Sequence, residues 1–296
     1  MSVQTDDIER DLSSVDWRIR RECAKRMDWT PTHKQVETGI SDNVYEVRKA
    51  WAERMDWTPT SEQADRGLRD HAEMRMVWVE RMDWTPTREQ VERGLNDPDI
   101  DIRTAWIKRS DWTPTHKQVE RGLGSEDWMK RRAWSKRMDW TPTSEQVERC
   151  LNDAWGVREV WAKRMDWTPT HKQAEIGIAD TVYEVRKAWV ERMDWTPTPD
   201  QAEDGLCDDY HEIRMAWIQR MDWTPTPEQV EGGLKDFNFR VRIAWLKRTD
   251  WAHSNEQIES GLSDPSSAIR NAWMERLKMD QESILLDEME TLCAHL

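Results

Sequence analysis

The chain has 296 residues, with 44 Lys and Arg against 58 Asp and Glu, a net charge of −14 and a pI near 5.1. That balance excludes a strongly basic nucleic-acid binder, and no run of 18 apolar residues is present to span a bilayer. Twenty-one Trp beside 3 Tyr and 2 Phe exclude a disordered chain despite a mean hydropathy of −0.97, because disordered chains are poor in large apolar rings.

The opening MSVQTDDIERDL is acidic where a signal peptide is basic and then apolar, so a cytoplasmic location is expected. Cys23, Cys150, Cys207 and Cys293 lie far apart, which fits neither a disulfide framework nor a zinc site and points to free thiols.

From residue 29 onward a segment of the form MDWTPT recurs, with Trp at 29, 57, 84, 112, 140, 167, 195, 223 and 251, spacings of 27 or 28 residues. Such a period decides the architecture ahead of any propensity. Residues 1–29 form an atypical first unit that reads as an N-terminal cap, residues 30–279 hold nine repeats, and 280–296 reads as a C-terminal capping helix.

In the repeat 30–57, Thr32 is the predicted N-cap of a first helix, and Gln35 completes a capping box. Pro199 and Pro227 follow the equivalent threonines, at the favoured first helical position. Val36 and Ile40 give this helix an apolar stripe. Gly39 sits beside the stripe, where a missing side chain allows close approach; Cys150 takes that place once, as a small buried residue. Asp42 and its equivalents, replaced only by Ser14 and Ser125, are expected to start a second helix. On that helix Val47, Ala50, Trp51 and Met55 have the spacing of a buried face, extended by Ala52.

Two arginines recur in every second helix, Arg48 and Arg54 in this repeat and Arg103 and Arg109 two repeats on. They border the apolar arc, and the repeated Asp of MDW (Asp56, Asp111) is their expected partner in an Arg–Asp ladder. The solvent-facing positions equivalent to 46, 49 and 53 carry 11 basic and 10 acidic residues, too balanced for a phosphate-binding face. If the arginines, Arg48 and Arg131 among them, were free instead, nucleic acid would be the partner.

Eighteen Trp fall in the repeated turn or the second helix and read as core. The remaining rings lie in the variable stretch between helices. One register there holds Trp17, Tyr45, Ile100, Trp128, Trp155, Tyr183, His211 and Phe239, and it faces the open strip beside Lys49, Arg132 and Lys187. These rings either pack into a stabilising ridge or anchor a partner. There is no phosphate loop, HExxH or GxSxG. His33, His116 and His171 recur a repeat or more apart and are expected at the surface, so neither an enzyme nor a cofactor or metal is expected.

The stretch DPDIDIRTAW (Asp97 to Trp106) is similar to the inter-helix turn of HEAT repeats, and RMDWTPT resembles the inter-repeat turn of the variant leucine-rich repeat. The resemblance covers nearly the whole chain. It implies an all-α, right-handed α-solenoid of about ten two-helix repeats, of a kind that usually binds proteins, sometimes nucleic acid, and in one branch acts on alkylated DNA. The catalytic residues of that branch have no counterpart here, and no iron–sulfur cysteine cluster is present. Together these readings point to a scaffold for a protein partner with a basic patch. A nucleic-acid binder and an acidic mimic of DNA that occupies a DNA-binding protein are the alternatives. The sequence leaves monomer and dimer open.

Overall fold

The computed structural model describes the backbone of residues 2–294 and the side chains of residues 7–282. Twenty α-helices and no strand occur among the described residues. The chain divides into two units, Met1–Thr141 and Pro142–Leu296.

The first unit contains α1 (Ser2–Leu12), α2 (Trp17–Lys25), α3 (His33–Ile40), α4 (Tyr45–Ala52), α5 (Ser61–Gly67), α6 (Ala72–Glu80), α7 (Arg88–Leu95), α8 (Ile100–Lys108), α9 (His116–Leu123) and α10 (Trp128–Ser135). The second contains α11 (Ser144–Leu151), α12 (Trp155–Lys163), α13 (His171–Ile178), α14 (Tyr183–Val190), α15 (Pro199–Leu206), α16 (His211–Gln219), α17 (Pro227–Leu234), α18 (Phe239–Lys247), α19 (Asn255–Leu262) and α20 (Ser267–Ala294). Each unit is thus a run of helical pairs. No helix boundary falls at residue 280, because α20 runs through it; residues 295–296 of the expected cap, and the Cys293 side chain, lie outside the described residues.

Local chemistry sets the first helix of each repeat. The Gln35 N–H donates to Thr32 Oγ1 at 3.4 Å while Gln35 Oε1 accepts from the Thr32 N–H at 2.7 Å, closing the capping box, and the same device opens every odd helix from α3 to α19.

The second helix begins later than expected. Asp42 is not its N-cap: the helix starts at Tyr45 after the N-cap Val44, and Asp42 accepts from the Val44 N–H at 2.9 Å. The chain needs this extra extended stretch to reverse between antiparallel helices, and the aspartate holds the turn. Caps from Asp16, Asp99, Asp127 and Asn238 serve the second helices where an Asx residue stands one place before the helix.

Packing repeats with the sequence. Helix α4 lies against α3 of its own repeat and against α2 and α6 of its neighbours, so Val47, Ala50, Trp51 and Ala52 are all buried. The turn Trp of one repeat meets the helix Trp of the next edge-on: Trp29 and Trp51 at 6.0 Å in the first unit, Trp195 and Trp217 at 6.2 Å in the second. Met55, expected in the core, is instead 60% exposed. The helix ends at Ala52 and the chain straightens, so the helical spacing that put Met55 inside no longer applies.

Candidate functional site

The two arginine rows occupy different places. The Arg54 guanidinium lies between Trp29 (4.9 Å) and Trp51 (5.6 Å) and is buried. Its five N–H groups are all used. Two donate to the Ala24 and Arg26 carbonyls, one to the Trp29 carbonyl, and the remaining two form a fork on Asp56. Arg109 repeats this with Val79, Arg81, Trp84 and Asp111. The carbonyls accepting from Arg54 Nη1 end the second helix of the preceding repeat, so the cation also sits at a helix C-terminus.

Arg48 pairs differently from the expectation. Its partner is not the MDW aspartate but Asp70, the inter-helix aspartate of the next repeat, held in a fork at 2.8 and 3.0 Å. Arg48 lies near the start of its helix, six residues before Arg54, and so reaches the inter-helix turn instead of the inter-repeat turn. The same fork joins Arg20 to Asp42 and Arg75 to Asp97 in the first unit, and Arg158 to Asp180, Arg186 to Asp208 and Arg214 to Asp236 in the second. Arg103 departs from the row. Ser125 stands where its aspartate would be, and its guanidinium donates only to the Asp97 and Pro98 carbonyls.

These partners hold the carboxylates down. Burial raises the Asp42 and Asp70 pKa values, but the forks from Arg20 and Arg48 and a backbone N–H outweigh it, and both lie below the ordinary range. Burial pushes the Cys23 thiol up, which fits a packing residue and not a nucleophile.

The surface of the second helices carries the exposed apolar groups. Tyr45, Ile100, Trp128, Trp155 and Phe239 are each more than a third exposed; Trp17, Tyr183 and His211 are half-buried. Two rings extend to the residue before the next repeat's register position: Tyr45 meets His71 edge-on at 5.0 Å, and Tyr183 stacks on Tyr210 at 4.6 Å. Trp17 is flanked by Arg18 and Arg21, and His211 lies 3.0 Å from Glu212. Lys49 and Lys187 reach Glu53 and Glu191 one turn on, at 3.8 and 3.6 Å.

A row of methionines on the protein surface was missed by the sequence reading. Met27, Met55, Met82, Met138, Met165, Met193 and Met221 are all at least half exposed. Each lies between an Arg and an Asp that form a fork on one another, and alternation along an extended segment turns the middle residue outward. Between α8 and α10 the rings and methionines come together. A groove of about 890 Å³ is lined by Ile100, Trp128, Met129 and Met138, with Arg132 and Lys136 among its polar groups.

Among the described residues, no group of three or more His, Cys, Asp or Glu is placed to hold a metal ion, and no helix is long and apolar enough to cross a membrane.

This repeat geometry has a solved counterpart. The chain is similar to a protein described as a leucine-rich repeat variant with a novel repetitive structural motif, with a TM-score of 0.52 and 20% identity over 79% of this chain and 83% of that one. The chain shares the fold of a leucine-rich repeat variant. No protein-family model and no curated protein matches it. The variant-repeat fold accounts for the helical pairs and their period, and it leaves function to the side chains displayed on them.

Proposed function

We propose that this chain is a non-catalytic repeat scaffold that binds a protein partner carrying a basic patch. The second-helix surface makes the contact, and residues 1–29 and 280–296 serve as terminal caps of the repeats between them. One observation carries the reading: exposed rings and methionines line that surface while the Arg54 row is buried against backbone and aspartate. Rings anchor interfaces, and methionine adapts its shape to an apolar partner. The net charge of −14 speeds encounter with a basic partner and makes association salt-sensitive.

A phosphate-binding surface would need cations turned outward, and most of the repeated arginines described here are tied to carboxylates or carbonyls. The test is capture of the tagged chain's partners from its native extract with and without nuclease. The protein so identified is then titrated with the wild type, Trp128→Ser and Met138→Ser. Binding that survives nuclease and weakens at least about tenfold in the variants, at unchanged melting temperature, supports the reading. Recovery of nucleic acid alone overturns it.

A further inference from the structure

Six described Arg–Asp forks join one repeat to the next, Arg242 meets Asp264 through a single ion pair at 3.5 Å, and the fourth repeat breaks the series. Where these pairs occur, the apolar residue at the position of Val47 lies beside them. Arg20, Asp42 and Val47 share a groove, as do Arg158, Asp180 and Val185, and Arg242, Asp264 and Ile269. In the fourth repeat both of the residues at the positions that meet this arginine elsewhere are changed. The aspartate is Ser125, and the apolar residue is Lys130.

The substitutions leave two cations without an anion. Arg103 uses only Nη1, on two carbonyls, and its Nε and Nη2 edge, which in six other repeat units forks a carboxylate, has no carboxylate among the described residues. Lys130 is half-buried at a position where Val47, Ile102, Val157 and Val241 are almost fully buried. Burial first, then the like charges of Arg103 and Arg121, push its ammonium below the ordinary lysine range. The other charges near it are engaged: Arg121 is paired with Glu92 at 2.9 Å, and the Asp127 carboxylate caps α10 by accepting from the Met129 N–H. Two adjacent unpaired cations in a half-buried position are unfavourable unless an anion joins them.

We infer that Arg103, Ser125 and Lys130 form a binding site for a carboxylate supplied from outside the chain, seated where the other repeats place their own aspartate. The Arg103 fork matches the two oxygens of a planar carboxylate, Lys130 adds a point charge, and the Ser125 hydroxyl can donate to the same group. The site lies on different residues from the ring and methionine groove, so its fate is independent of the partner proposed above.

The test uses the full-length protein at fixed ionic strength, with succinate, a blocked peptide bearing a single glutamate, and inorganic phosphate as probes followed by calorimetry. Ser125→Asp refills the position with the residue the other repeats carry, and Lys130→Val restores their apolar one, so both variants are expected to fold with melting temperatures at or above the wild type's. The wild type binds a carboxylate probe, and each variant weakens that binding at least about tenfold. Tighter binding of succinate identifies a small dicarboxylate as the ligand, and tighter binding of the peptide identifies an acidic side chain; either supports the site. Equal affinity of wild type and variants, no binding of either carboxylate, or a preference for phosphate overturns it.

Discussion

Gly39 and Trp51 fit together as a socket and its contents: a methyl group on the Gly39 Cα would fall inside the Trp51 indole. Gly39 belongs to the first helix and Trp51 to the second, so the glycine fixes how closely the helices of one repeat approach. The same relation recurs at Gly233 and Trp245, whereas a methyl group on the neighbouring Gly232 would point into open space.

That contrast makes a test within one helix. In an open helical position Gly→Ala stabilises by about 0.5–1 kcal/mol. Gly232→Ala is expected to follow that rule. Gly233→Ala must displace an almost fully buried Trp and is expected to destabilise by about 1–3 kcal/mol. Urea melts of the two variants check this; a stabilising Gly233→Ala would show that the indole has room to move.

Arg220 is nearly sealed from solvent, with all five donors placed on Val190, Arg192, Trp195 and Asp222. Removing it strands three carbonyls and a carboxylate, so Arg220→Met is expected to cost about 3–5 kcal/mol. Arg220→Lys is also expected to be strongly destabilising, since three donors on a flexible stem cannot reproduce the fork or stack between rings. Lys235→Ala, which breaks an exposed pair with Glu231, is expected to stay within about 0.5 kcal/mol. Chemical denaturation midpoints separate the three.

The aspartates of both rows give the acid limb its sign. Asp250 is held below the ordinary carboxylate range first by Arg248, and Asp42 and Asp70 are held low by their forks against opposing burial. Because the folded pKa is depressed, the unfolded chain binds more protons as pH falls. The stabilisation is therefore complete well above the unfolded pKa of about 4 and is lost as pH drops through the folded values. Melting temperature is expected to be flat from neutrality to about pH 5 and to fall steeply below about pH 4. Asp42→Asn with Asp70→Asn should flatten that limb; an unchanged acid transition would assign it to other groups.

What could be read in the sequence depended on range. The Thr32 to Gln35 box was legible because its two members are three residues apart, and the Trp period was legible because it repeats. The Arg48 to Asp70 fork spans 22 residues and two repeats, and a helical wheel shows which side Arg48 borders without showing which turn it reaches. Met55 was misplaced because the helical period was carried past Ala52, where the helix stops. Ser125 was legible as a departure from the repeated aspartate, but its meaning, and that of Lys130, depends on the fork from the preceding repeat's arginine, which only the packed structure brings out.

The outward methionines provide the last test, one that needs no known partner. Met74 is 2% exposed in the core of α6, whereas Met82, eight residues on, is 50% exposed beside the buried Arg81. Mild peroxide is therefore expected to convert Met27, Met55, Met82, Met138, Met165, Met193 and Met221 to sulfoxides while sparing Met74, as read by peptide mass spectrometry. Oxidation at surface positions removes no core contact, so the melting temperature is expected to change little. Sulfoxide is polar, so binding of an apolar partner on this surface should weaken together with the modification, and methionine sulfoxide reductase should restore it. Modification of Met74 at the same rate as Met82 would mean that the helical pairs open far more readily than their packing implies.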